Sequence, residues 1–194
     1  MQHAKKVSKR TRLITGTTLA AAIAVGGFGA YSASAADSEP AAQAAAAKPA
    51  AAKPAAAKAG NTFESKHLTV DAATDAAQAV LKAAKKENQK VSVAVVDRNG
   101  NTIVELRGDG AGPQSPESAV KKAYTAVSWN APTSELTKRL EQAPNLKDIP
   151  GTLFLAGGAP VTADNAPIAG IGVAGAPSGD LDEKFAQAGV ATLK

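Results

Sequence analysis

Cysteine is absent from the 194 residues, and methionine and tryptophan occur once each. No disulfide can tie the fold together, no thiolate can ligate a metal, and no cysteine nucleophile exists. Aromatic residues are few: beyond residue 35 only Phe63, Tyr124, Trp129, Phe154 and Phe185 remain. That leaves hardly any stacking platform for single-stranded nucleic acid. His67 is the one histidine after His3, so the Cys/His/Asp constellation of nucleophilic catalysis is missing too. Stability has to come from a core of small aliphatic side chains and from assembly, within a length that suits one compact domain with appendages.

The formal charge of +5 points at first to a polyanion partner, but its location removes the argument. Lys5, Lys6, Lys9, Arg10 and Arg12 stand in a stretch without acids, and the other 17 of the 22 basic side chains face 17 acidic ones. A neutral remainder excludes sequence-independent phosphate binding, and no nucleic-acid partner is expected. The basic start, an apolar run over 13–28 and the A-x-A site Ala33-Ser34-Ala35 read as a secretory signal peptide over 1–35. Gly16, Gly26 and Gly27 within it and Gly29 just after it make that run a poor membrane anchor. The segment 8–14 also resembles a twin-arginine signal with Lys9 in place of the first arginine. Export predicts a secreted, cell-envelope-associated protein. Residues 36–60 are alanine-rich, with Lys48, Lys53 and Lys58 at five-residue spacing and Pro49 and Pro54 breaking any helix. They read as a disordered, semi-rigid Ala/Lys/Pro linker, ahead of a globular domain over 61–194.

In that domain a helix is predicted from a Thr69 or Asp71 cap to about Asn88, with Ala72, Ala76, Ala79, Val80 and Ala83 on its apolar face. Strands over 91–97 and 102–107 flank Asn99-Gly100, a pair suited to a primed turn with positive φ. A second helix is expected from a Ser115 cap, with Pro116 in its first turn. A shorter helix starts at Thr133 or Ser134 and ends before Pro144, and strands follow at 153–156, 161–162 and 168–174. Asp180 caps a last helix. The short strand connections imply an antiparallel sheet flanked by helices, an α+β sandwich.

The segments SVAVVDRNG at 92–100, KAYTA at 122–126, GGAPV at 157–161 and IAGIGVAG at 168–175 resemble the HbpS/GlcG family, which includes the C-terminal domain of PduO-type proteins. The likeness spans about 66–193. WNAPTS at 129–134, PGTLF at 150–154 and the exported leader look most like the extracellular haem-binding HbpS proteins of streptomycetes. Where many relatives have Val-Ser-Gly-Gly, this chain has Val173-Ala174-Gly175-Ala176, so that serine's role does not carry over. The resemblance implies a profilin-like shape, haem b or iron binding, a homo-oligomer, possibly an octamer, and a membrane sensor histidine kinase as partner. The function implied is redox or iron sensing, with weak peroxide-dependent haem chemistry at most. Two other readings are a GlcG- or PduO-like protein of small-molecule or corrinoid metabolism, and a purely structural envelope module.

Among side chains that commonly ligate haem iron, His67 and Tyr124 are what remains after the signal peptide. Thr125 joins them as an oxygen donor or distal hydrogen-bonder because it lies in the family-like segment. Arg107, Lys121 and Lys122 are the candidate propionate partners. Asp180, Asp182 and Glu183 offer hard oxygen ligands to iron or another cation, or else acids at a helix start. The Gly-x-Gly-x-x-Gly run at Gly170, Gly172 and Gly175 is expected inside a strand, where close backbone packing is its preferred role over a phosphate cradle.

Overall fold

The computed structural model describes residues 54–194. The expected signal peptide over 1–35, and the linker up to residue 53, lie outside the described residues. Helix α1 (Val70–Lys86) begins at Thr69, whose hydroxyl accepts from the Ala72 amide at 3.2 Å. Its buried face is Ala73, Ala76, Ala77, Val80 and Ala84, shifted from the predicted stripe because alanines spread round the helix give the periodicity little contrast. Strands β1 (Ser92–Asp97) and β2 (Thr102–Arg107) form the expected hairpin. Its turn differs from the expectation. Gly100 has φ +88 while Asn99 stays on the ordinary side, so the loop is a three-residue turn with a glycine bulge and not a primed pair. Asp97 organises it, its carboxylate accepting from the amides of Asn99 (2.8 Å) and Asn101 (2.9 Å).

Helix α2 (Ser115–Trp129) has Gln114 at its cap position. Ser115, expected as the cap, sits buried inside the first turn, donating to the Gly112 carbonyl at 2.7 Å and meeting the Ser92 hydroxyl at 2.8 Å. Helix α3 (Thr133–Arg139) is followed by a short turn of 3-10 helix, Pro144–Asp148. The strand expected at 153–156 is irregular backbone; β3 is Gly158–Ala163, starting three residues before the strand expected at 161–162. β4 (Ala166–Ala174) and α4 (Gly179–Val190) complete the domain. Ser178, not Asp180, caps α4, accepting from the Leu181 amide at 3.2 Å.

The sheet has the order β2-β1-β4-β3 and is antiparallel throughout, with edges β2 and β3, the latter carrying Pro160. One face, through Val93, Val95, Ile171 and Val173, packs on α1 and α4 around Phe185 and forms the main core. The opposite face, through Ala94 and Val96, packs on Ala119, Ala123 and Val127 of α2. These three layers are the antiparallel α+β sandwich expected. The glycine run explains how closely α2 sits on β4: a Cβ on Gly172 would stand 2.0 Å from the Ala119 carbonyl oxygen, and one on Gly170 2.2 Å from that of Ala123. Among the described residues no helix is long and apolar enough to cross a membrane.

Candidate functional site

Helix spacing places Glu117, Val120, Lys121 and Tyr124 on one side of α2. They form one wall of an open cleft of about 470 Å³, closed by Gly100 of the hairpin turn and by Pro150 and Gly151. The Tyr124 ring lies between the two glycines. A Cβ on Gly100 would come within 2.9 Å of one ring edge, and one on Gly151 within 3.7 Å of the other. Lys121 and Glu117 pair at 2.6 Å on the rim, and this hydrogen bond holds the Glu117 carboxyl below its ordinary range.

Thr125 is fully buried, and the structure does not present it to the cleft as a ligand. Its hydroxyl donates to the Lys121 carbonyl at 2.7 Å and accepts from the Leu153 amide at 2.8 Å. It is a positioning residue that pins the 150–155 segment against α2. Phe154 strengthens that anchor, meeting Trp129 edge to face at 5.2 Å over Leu136.

Lys122 also departs from its expected role. One position along the helix from Lys121, it points into the protein, 2% exposed. Its ammonium donates to the Val173 carbonyl (3.0 Å) and to Asp182 (2.8 Å), so it is not offered to a propionate. Burial pushes the Asp182 carboxyl above its ordinary range, partly offset by Lys122 and by the amides of Ala176 and Gly175. Lys122 and Asp182 lie at a second cleft of about 400 Å³, with Ser118, Leu155 and Ser178 among its walls.

The expected cation site at Asp180, Asp182 and Glu183 is not built. Asp182 is taken by Lys122, and Glu183 reaches α3, accepting from the Ser134 amide (2.9 Å) and hydroxyl and from the Gly157 amide (3.3 Å). Asp180 is exposed, and among the described residues no group of three or more His, Cys, Asp or Glu could hold a metal. Arg107 donates to the Ala111 carbonyl at 2.6 Å and is not part of the Tyr124 cleft. His67 is exposed, its Nε2 2.9 Å from the Ser65 hydroxyl.

Of the residues singled out in the sequence, the cleft therefore joins Lys121 and Tyr124. Glu117, Gly100, Pro150 and Gly151 were not foreseen as its walls. The signal available was the helical spacing of Glu117 and Val120 from Tyr124; the two turns come from distant parts of the chain.

The family model described as "Haem degrading protein HbpS-like" matches residues 68–191. A crystal structure of a double mutant of Streptomyces reticuli HbpS is 72% identical, with TM-score 0.73, covering 74% of this chain and 99% of that one. The structure titled "PduOC:Heme Complex" is 26% identical, with TM-score 0.60, covering 66% of this chain and 95% of that one. An uncharacterized 15.0 kDa protein of Citrobacter freundii, from the dhaT-dhaS intergenic region, is 34% identical over 113 residues, covering 56% of this chain and 80% of that protein. The match runs through all four strands and helices α1, α2, α3 and α4, and on that ground the chain belongs to the HbpS-like family.

Proposed function

We propose that this chain is a secreted haem-binding protein that senses iron or redox state and acts through a membrane sensor histidine kinase. The observation that carries haem binding is the cleft over Tyr124. Its walls fit a flat macrocycle: Val120, Pro150 and the Tyr124 ring are apolar, and the glycines of the two turns let the backbone come close to the ring without side chains filling the cleft. Tyr124 is the one lining residue of a type that commonly ligates haem iron, and Lys121 stands at the rim for a propionate. Haem held in this cleft would supply one-electron iron chemistry. The chain's own part is to pack the ring faces, pair one propionate with Lys121 and hold the phenol oxygen on α2. An open cleft and one protein ligand favour ready exchange over permanent storage. The haem complex of the PduOC relative and the haem-degrading description of the family support the same reading.

The kinase is proposed because the resemblance to the HbpS/GlcG family implies a membrane sensor kinase as the partner that carries the signal. A homo-oligomer, with an octamer as the count implied by the resemblance, belongs to the same proposal. The polar cleft at Lys122 and Asp182 favours a second reading, a small-molecule binder of the GlcG or PduO kind.

Titrating the protein with hemin separates the two. A shifted Soret band that saturates at a fixed stoichiometry is expected, with a changed band in Tyr124→Phe; no shift in the parent protein refutes haem binding. For the output, the partner kinase is reconstituted with and without the protein. Autophosphorylation that the protein leaves unchanged under both reducing and peroxide conditions removes the regulatory role.

A further inference from the structure

Ahead of α1 the described chain runs as an exposed arm with one short turn, Ala59–Asn61. Phe63 on this arm is 87% exposed, an unusual position for one of the few aromatic residues. The arm is tied down just after it, by the Lys66 and Asp164 ion pair and by Leu68, which packs against the main core. Phe63 and its exposed neighbour Glu64 are thus held outward at the N-terminal end of α1.

At the other end of the same helix lies a cleft of about 400 Å³, between the last turns of α1 and the Gly108 end of β2. Leu81, Ala84 and Val91 supply its apolar walls, and the exposed Lys85 and Lys90 stand at its mouth, two cations against the one carboxylate of Asp109. Shape and charge complement an aromatic ring followed by a carboxylate. The arm does not fill the cleft of its own chain: Phe63 is not among the residues that line it. At ~1.5 Å per residue, the 17 residues of α1 put its ends about 25 Å apart. From Leu68 back to Phe63, five extended residues reach at most about 18 Å. In a two-fold pair with α1 helices side by side and antiparallel, the N-terminal end of each helix meets the C-terminal end of the other.

We propose that Phe63 of one copy seats in the α1–β2 cleft of a second copy, with Glu64 facing Lys85 and Lys90, and that the exchange is reciprocal about a two-fold axis. This rests on the homo-oligomer reading above. The test measures the association of the full chain by light scattering across a dilution series. Phe63→Ala is expected to weaken association about 30-fold or more, as truncating a central aromatic anchor does. Glu64→Lys and the pair Lys85→Glu with Lys90→Glu should each weaken it, and the three changes combined should restore it. Unchanged thermal melting of these surface variants at monomer concentration excludes misfolding as the cause.

A parent chain that is monomeric overturns both the oligomer reading and this interface. An oligomer indifferent to Phe63→Ala and Glu64→Lys overturns the interface alone. A charge reversal that fails to restore association refutes the Glu64 pairing. Because the chain has no cysteine, Thr62→Cys and Gln89→Cys on separately tagged copies give a clean cross-linking readout. A disulfide-linked mixed dimer is expected, and a link formed within one chain carrying both changes overturns the exchange.

Discussion

Replacing Lys122 by methionine is the sharpest test of how this fold is held together. The substitution keeps most of the side-chain volume but removes the ammonium from a site where both partners are buried, with side chains 2% and 5% exposed. Asp182 loses its 2.8 Å ion pair and the Val173 carbonyl its 3.0 Å donor. Breaking one side of a buried pair costs about 3–5 kcal/mol, most of it from the charge left behind. For a domain of this size that lowers Tm by roughly 6–20 °C, at about 2–4 °C per kcal/mol. Burial already holds the Asp182 carboxyl above its ordinary value, and Lys122 pulls it down. The folded state therefore keeps this proton over a window, upward from the ordinary aspartate range, in which the unfolded chain has lost it. Stability from this group rises on acidification through that window and is lost as pH climbs through the folded value. Removing Lys122 extends the window upward, so the Lys122→Met deficit should be smaller at about pH 5 than at about pH 8. Asp182→Asn on top of Lys122→Met should recover part of the loss, since it removes the stranded charge. Chemical denaturation of the parent, Lys122→Met, Asp182→Asn and the double variant at both pH values gives the cycle. A deficit under about 1 kcal/mol, or one independent of pH, refutes the claim that a desolvated carboxylate sets the cost.

Gly172→Ala places a methyl 2.0 Å from the Ala119 carbonyl oxygen and must lift α2 from the sheet; a loss of about 1–3 kcal/mol in denaturant melts is expected, with weaker hemin binding because Tyr124 moves with the helix. Thr125→Val leaves the Leu153 amide without its acceptor, and about 1–3 kcal/mol should be lost together with faster amide exchange over 150–155. Asp97 is held below the ordinary aspartate value: burial opposes this, but hydrogen bonds from Asn101 and Asn99 win. Its contribution is thus present above that value and lost as pH falls through the folded one, and Asp97→Ala should flatten the acid limb of a stability-pH curve.

The element order was legible in the sequence wherever one strong local signal stood alone. Pro116 placed the first turn of α2, and the β1–β2 hairpin was readable from its flanking β-branched residues. Local chemistry misled where a polar side chain had a better offer elsewhere: Ser115 turned inward to Ser92, and Asp180 yielded the cap of α4 to Ser178. The candidate site was legible only in part, for the same reason. Lys121 and Lys122 are adjacent in sequence, but the helix turns about 100° per residue, so one reaches solvent and the other the core. Nothing local to residue 122 announces Asp182, 60 positions away. The cleft around Tyr124 depends on two turns from distant parts of the chain, and helical spacing could supply only the α2 wall.

Pro160 in β3 has a bearing on how copies of this protein can add to one another. A proline in the middle of a six-residue edge strand withholds one main-chain donor and resists templating by another chain. The sheet is therefore one-sided: β2 can accept a neighbour strand and β3 is terminated. Edge-to-edge joining through β2 ends at a pair, because each partner then presents its terminated side outward. Growth into a ribbon or fibril is thereby disfavoured, which suits a chain with no disulfide to hold its sheet shut at high local concentration.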